Sequence, residues 1–201
     1  MEFSEQAERI TAYAKRMYEE KLVSATSGNL SERIPGTADL FAVTPSSEDY
    51  TTMTLERIVV MKTDGTLVWC PEGAKPSSEW RLHAAVYRDR PDISAVVHTH
   101  SPYATAFATV NKAIPPVLAE MGPWLGGGIP VAAYGPLATW ELADNTVAAL
   151  GEKGVACLMA NHGAVAVAAD MKTAYARAAY IEDAARIIAL AKMLGEPVRI
   201  G

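Results

Sequence analysis

The sequence predicts an α/β sandwich, a largely antiparallel sheet with helices on its faces, and three observations lead there. Helical periodicities and short apolar runs alternate irregularly, not in strict β-α-β order. Asp64-Gly65 sits between two strand-like runs and marks a tight hairpin, which imposes antiparallel pairing. No internal repeat or low-complexity linker divides the 201 residues, so residues 1–201 read as one domain with a single core.

Residues 4–22 carry Ala7, Ile10, Ala14, Met17, Tyr18 and Leu22 at helical spacing, with Ser4 as the expected N-cap. Small and polar residues break that periodicity at 25–29. Strand-like runs follow at 41–44, 58–62 and 66–69, the last two joined by the hairpin turn. Pro76-Ser-Ser-Glu79 opens a helix that runs to about Arg90 and is stopped by Pro91. A buried strand spans 93–98, and a short helix follows Pro102. Residues 115–136, rich in Pro and Gly, read as loop with one or two short strands. A helix over 137–150 precedes a strand at 155–160, a turn at Asn161-His-Gly163 and a strand at 164–167. An alanine-rich helix over 171–194 ends before Gly195 and Pro197.

Composition excludes several classes of function. The net charge is −5 and no Lys/Arg cluster appears, which argues against nucleic acid as a partner. No run approaches the roughly 18 apolar residues of a membrane span, and the acidic N-terminus does not read as a signal peptide. Cys70 and Cys157 lie far apart in unrelated contexts, the usage of plain thiols in a reducing, cytoplasmic setting.

The strongest chemical signal is His98-Thr-His100 at the end of an apolar strand. Side chains two apart on a strand share a face, so both imidazoles can reach one ion at roughly 2 Å. In a helix they would lie about 200° apart. His162, flanked by Asn161 and Gly163 between two apolar strands, is placed to look into a cavity from a rigid scaffold. Alone it reads first as a turn histidine bonded to backbone. Glu79 is the best carboxylate to join the three, as a ligand able to leave and serve as a general base. Its ordinary alternative is an acid favoured by the helix dipole. His83 falls four residues after Glu79 and reads as a surface residue or a support behind the site. Thr26-Ser-Gly-Asn29 and Ser77-Ser78 offer hydroxyls and free amides suited to phosphate, although such loops are usually plain turns.

Taken together, Thr26-Ser-Gly-Asn-Leu-Ser31, Val43-Thr-Pro-Ser46, Lys75-Pro-Ser-Ser-Glu79, Val96-Val-His-Thr-His100, Ile129-Pro130 with Tyr134, and Asn161-His-Gly163 resemble the class II aldolase/adducin family. In layout they are most like its L-fuculose-1-phosphate aldolase branch, over nearly the whole chain. The resemblance implies a three-layer α/β/α sandwich and a fourfold homotetramer with active sites between subunits. It implies zinc, or another divalent ion such as Mn2+ or Co2+, on His98, His100, His162 and Glu79, with Glu79 as the acid/base. It implies that Thr26, Gly28, Asn29, Ser77 and Ser78 bind the phosphate of a phosphorylated sugar. The implied reaction cleaves a ketose 1-phosphate to dihydroxyacetone phosphate and an aldehyde through a metal-stabilised enediolate.

Three departures bear on the substrate. Ser47 stands where the branch has glycine, Ile114-Pro115 is followed by Pro-Val-Leu-Ala-Glu-Met with no tyrosine, and the sequence stops at Gly201. Without that tyrosine, Glu120 or a residue from elsewhere would have to assist proton transfer. A 4-epimerase or a 3-oxo-acid-phosphate decarboxylase would use a related site, and a non-catalytic adducin-like domain would be expected to have lost these ligands.

Overall fold

The computed structural model describes residues 3–200. Its strands are β1 (Asn29–Arg33), β2 (Leu40–Val43), β3 (Val59–Lys62), β4 (Leu67–Trp69), β5 (Ala95–Thr99), β6 (Val131–Ala132), β7 (Ala156–Met159) and β8 (Gly163–Ala168). Its helices are α1 (Ser4–Glu19), α2 (Trp80–Asp89), α3 (Pro102–Thr109), α4 (Met121–Leu125), α5 (Trp140–Leu150) and α6 (Met171–Ala191), with a 3-10 turn at Leu55–Arg57. The strands form one eight-stranded sheet in the order β4-β3-β2-β1-β5-β8-β7-β6. Every named pairing is antiparallel except β6 with β7.

Alternation along the strands divides the interior into two apolar layers. Ala95 and Val97 face the layer that holds α1, α3, α4 and α6, where Ile10, Met17, Ile181 and Ile188 are buried. Val96, Val165 and Val167 face the other layer, against Leu82 and Val86 of α2 and Leu142 and Leu150 of α5. The expected α/β/α sandwich is therefore the observed one.

The hairpin forms as its turn chemistry requires. Gly65 takes φ +98°, and Thr66 N–H donates to Asp64 Oδ1 at 2.8 Å.

Element boundaries differ from expectation where side chains other than the local sequence decide. Ser4 is the first residue of α1 rather than its N-cap; Phe3 holds that position and no side chain caps it. Helix α2 starts at Trp80, because the turn over 77–80 bonds Trp80 N–H to Ser77 O and leaves Glu79 as N-cap. Helix α5 starts at Trp140, capped by Thr139 Oγ1, not at 137. Helix α4 forms within the stretch expected to be loop and ends on Gly126 in the left-handed conformation, with Met121 and Leu125 buried.

The largest omission is β1. Its sequence, Asn-Leu-Ser-Glu-Arg, lacks the apolar alternation of a half-buried strand, yet it lies mid-sheet between β2 and β5. The fold satisfies each polar side chain. Glu32 accepts from Arg9 at 2.8 Å, and Arg33 donates to the Tyr87 carbonyl at 2.8 Å. Asn29 and Ser31 join α2.

Asp170 caps α6, accepting from Thr173 N–H and Thr173 Oγ1, each at 2.8 Å, and these bonds depress its carboxyl against a desolvation that opposes them. Asp170→Ala should lower unfolding stability by about 1 kcal/mol in urea at pH 7. A depressed folded-state value means stability present above the ordinary aspartate range of about 4 and lost as pH falls through the folded value. The gap between wild type and variant should therefore hold at neutral pH and close only in acid.

Candidate metal centre

Strand β5 carries His98 into the interior and leaves His100 just beyond its end. His98 lies opposite Asn29 of β1 on one side and Val165 of β8 on the other. His162 occupies the tight turn between β7 and β8, so the pairing of β5 with β8 draws it beside the first two. Glu79 arrives from the opposite layer at the head of α2.

The four side chains converge, each offering a ligand atom within 4.8 Å of the others. The three imidazoles form a near-equilateral triangle with ring centroids 4.7, 4.9 and 4.9 Å apart, each pair close to edge-on. His98 Nε2 lies 2.9 Å from His100 Nε2 and 3.2 Å from Glu79 Oε2. His162 Nε2 lies 3.3 Å from Glu79 Oε1. Those last two atoms are buried and have no hydrogen-bond partner. Buried polar atoms without partners are costly, and a cation held between them would satisfy both. Three imidazoles with one carboxylate suit zinc and similar divalent ions, so the residues present fit a metal.

Supports hold the ligands in orientation. His98 Nδ1 donates to the Ala164 carbonyl at 3.0 Å, which sets the tautomer and leaves Nε2 free for a metal. Gly163 packs against the Thr99 carbonyl and the His98 ring so closely that a Cβ there would collide with that oxygen. Helix α3, directly after the His100 loop, is capped from α6: Glu182 accepts the Tyr103 and Ala104 amides at 3.0 and 2.9 Å.

Electrostatics divide the cluster. Burial opposes ionisation of Glu79, but the charge and hydrogen bond of His98, with His162 and Asn29, hold its carboxyl well below the usual range. Burial likewise opposes charge on His98, yet Glu79 raises it overall. Burial, reinforced by repulsion from His98, lowers His100 to about 3 and His162 to about 4.

Beside the cluster lies a cavity of about 370 Å³ lined in part by Thr26, Gly28, Asn29, Ser77 and Ser78, and reached by Glu79 and His100. An isolated bridge between Pro45 and Pro76 draws the loop after β2 against the loop before α2, so Ser46 and Ser47 join the wall. Ser47 adopts φ +61° and Ala25 φ +52°, conformations that favour glycine, and Gly28 adopts φ +74°. Asn29 is more committed than expected: one amide hydrogen goes to Glu79 Oε2 at 2.9 Å, and its oxygen faces His83.

His83 itself is fully buried behind Glu79, not on the surface. The site residues that sequence reasoning passed over are Ser31 and Tyr87, which continue from His83 into the interior. Glu79, His83 and Tyr87 recur at intervals of four along α2, a polar stripe at helical spacing that could have revealed them.

A largely antiparallel sheet that brings three imidazoles to a carboxylate at a helix head, beside a hydroxyl-rich cavity, defines an α/β protein with a site able to hold a metal ion. The family model for the class II aldolase and adducin N-terminal domain matches residues 8–189. The 5-deoxy-D-ribulose 1-phosphate aldolase of Bacillus thuringiensis serovar kurstaki is 37% identical over 200 residues, covering 98% of this chain and 90% of that protein. The L-fuculose phosphate aldolase of Escherichia coli K12 is 32% identical, covering 100% and 90%. A solved L-fuculose 1-phosphate aldolase superposes with a TM-score of 0.92 at 36% identity, covering 98% of this chain and 91% of that one. The chain belongs to the class II aldolase and adducin family, and within it to the aldolases.

Zinc at a hundredfold excess over its dissociation constant should stabilise the fold by about 2.7 kcal/mol, raising the thermal midpoint by roughly 5–10 °C. A chelator should reverse that shift, and His98→Ala should abolish it. Gly163→Ala should cost about 1–3 kcal/mol through overpacking and weaken zinc binding in a direct titration, because His98 must move.

Proposed function

We propose that the protein cleaves a ketose 1-phosphate to dihydroxyacetone phosphate and an aldehyde. The observation that carries this reading is the continuity of the cavity with the metal centre. Thr26, Gly28, Asn29, Ser77 and Ser78 line it together with Glu79 and His100 of the cluster. No Lys or Arg stands among the lining residues. A small dianion there would be held by hydroxyls and amides, with its charge balanced by the neighbouring cation.

A divalent ion on His98, His100, His162 and Glu79, zinc or else Mn2+ or Co2+, would supply Lewis-acid polarisation of the ketose carbonyl and charge for the enediolate. The residues do the remaining work. Thr26, Ser77 and Ser78 bind phosphate through their hydroxyls, Gly28 offers its backbone from a position where a side chain would meet Val23 and the His98 carbonyl, and Asn29 can offer its second amide hydrogen. The Ser77 hydroxyl accepts from Glu79 N–H at 3.2 Å, and its hydrogen remains for a phosphate oxygen. Glu79, once free of the ion and protonated from solvent, would deliver that proton to the enediolate carbon during cleavage, and as the carboxylate would remove it during condensation. The C4 hydroxyl proton needs a second acceptor. No tyrosine lies in the run 116–121 directly after Ile114-Pro115, so Glu120, exposed at the head of α4, or a residue from elsewhere would have to serve.

A homotetramer with sites between subunits and a cytoplasmic location complete the proposal. Exposed Trp124, Tyr134 and Leu137 supply apolar surface for subunit contacts. Among the described residues no helix is long and apolar enough to cross a membrane.

A coupled assay for dihydroxyacetone phosphate tests the reading, with zinc-loaded protein and fuculose, rhamnulose and 5-deoxyribulose 1-phosphates. Release from at least one ketose is expected, lost on chelation and in His98→Ala. Consumption of ribulose 5-phosphate or an oxo-acid phosphate instead, with no release from any ketose, would overturn it.

A further inference from the structure

Between β1 and α2 a line of polar side chains runs inward from Glu79 to Tyr87, whose ring Arg33 covers. Tyr87, His83 and Glu79 project from one face of α2, and Ser31 and Asn29 from the facing side of β1. His83 Nδ1 lies 2.6 Å from Ser31 Oγ, and Ser31 Oγ lies 2.7 Å from Tyr87 Oη. His83 Nε2 lies 2.5 Å from Asn29 Oδ1, and Asn29 Nδ2 donates to Glu79 Oε2 at 2.9 Å. His83, Ser31, Asn29 and Glu79 are each at least nine-tenths buried, so no solvent relieves a mismatch along the line.

The carboxylate dictates the direction of every bond. An ionised Glu79 only accepts, so Asn29 must turn its amide nitrogen toward it and its oxygen toward His83. His83 must then carry its proton on Nε2 and accept on Nδ1. Ser31 supplies that hydrogen and accepts one from Tyr87. Burial, with repulsion from His98, lowers His83 to about 3, so the ring is neutral and holds only one proton to place. Reversing the line would point the Asn29 oxygen at the carboxylate.

We propose that His83 is a positioning residue: donating from Nε2 to Asn29, it locks the amide that orients the Glu79 carboxylate toward the three histidines. It touches neither substrate nor metal and acts only through Asn29. The inference rests on Glu79 as ligand and acid/base, and it adds the interior groups that hold that carboxylate in one orientation. Ser31 and Tyr87 serve by completing the line, Ser31 donating to the unprotonated Nδ1 and accepting from Tyr87.

The test begins with the metal-free protein, whose four histidines allow side-chain nitrogen NMR, the His83→Gln spectrum identifying the His83 signals. His83 is expected as the Nε2–H tautomer with a slowly exchanging proton, and an Nδ1–H tautomer overturns the proposal. For the zinc-loaded enzyme, His83→Phe fills the space without a donor. Its kcat should fall about 10–100-fold and its zinc affinity about tenfold. KM should change less than about threefold, since Thr26, Ser77 and Ser78 keep their phosphate contacts and only the Asn29 amide is loosened. His83→Gln restores an N–H and should recover part of the loss. Unchanged kcat and zinc affinity in His83→Phe, or a His83→Gln enzyme as impaired as His83→Phe, would overturn it. If His83→Phe does not fold, the wild-type tautomer still decides. If the wild-type enzyme turns over no ketose, the aldolase reading fails, while the tautomer and zinc-affinity measurements still decide the role of His83.

Discussion

The site depends on the register of β5 between β1 and β8. With His98 opposite both Asn29 and Val165, its ring faces the layer that contains α2, where Glu79 waits. A slip of one residue would turn Val97 to that face and send His98 among the helices of the other layer. The same pairing brings the β7–β8 turn, and with it His162, to the end of β5. It also places the Ala164 carbonyl under His98 Nδ1. One register thus decides ligand position, ligand tautomer and the approach of the third histidine.

The register is secured by unequal means on its two sides. Toward β8 the neighbours are small and apolar, Ala95, Val96 and Val97 against Ala168, Val167 and Ala166, and Gly163 permits close approach to the Thr99 carbonyl. Toward β1 the strand is polar. Each buried polar group left without a partner would cost about 1–3 kcal/mol, so β1 is tolerable mid-sheet only because its partners are complete. Asn29 and Ser31 find them on α2, Glu32 finds Arg9 of α1, and Arg33 finds the carbonyls of Tyr87 and Ile93. That completeness ties the first helix, the central strand and the helix bearing Glu79 into one unit. Stability and function therefore share the same bonds.

The cavity beside the cluster is built differently, from backbone. Ala25, Gly28 and Ser47 all take left-handed conformations around the cavity, and two of them are not glycine. Such conformations persist only where surrounding contacts hold them, and they cluster at functional sites. One such contact is visible: Tyr50, buried, donates from its hydroxyl to the Gly28 carbonyl at 2.6 Å. Where the branch it resembles has glycine, this chain keeps a glycine-like backbone at Ser47 and adds a hydroxyl to the cavity wall.

Local sequence was sufficient for the amphipathic helices α1, α2 and α6, the Asp64-Gly65 hairpin and the apolar strands β5, β7 and β8. In each, periodicity or turn chemistry is written into consecutive residues. The histidines and Glu79 stood out through residue type, strand spacing and resemblance to a known family. Tertiary structure alone decided that Asn29-Leu-Ser-Glu-Arg33 is a central strand, that α4 forms within a Pro/Gly-rich stretch, and that His83 is interior. It also decided that Asn29 serves Glu79. These outcomes rest on partners some fifty residues away, such as Asn29 with Glu79 and Ser31 with His83. A polar residue reads locally as loop or surface, and only the distant group that satisfies it makes its burial favourable.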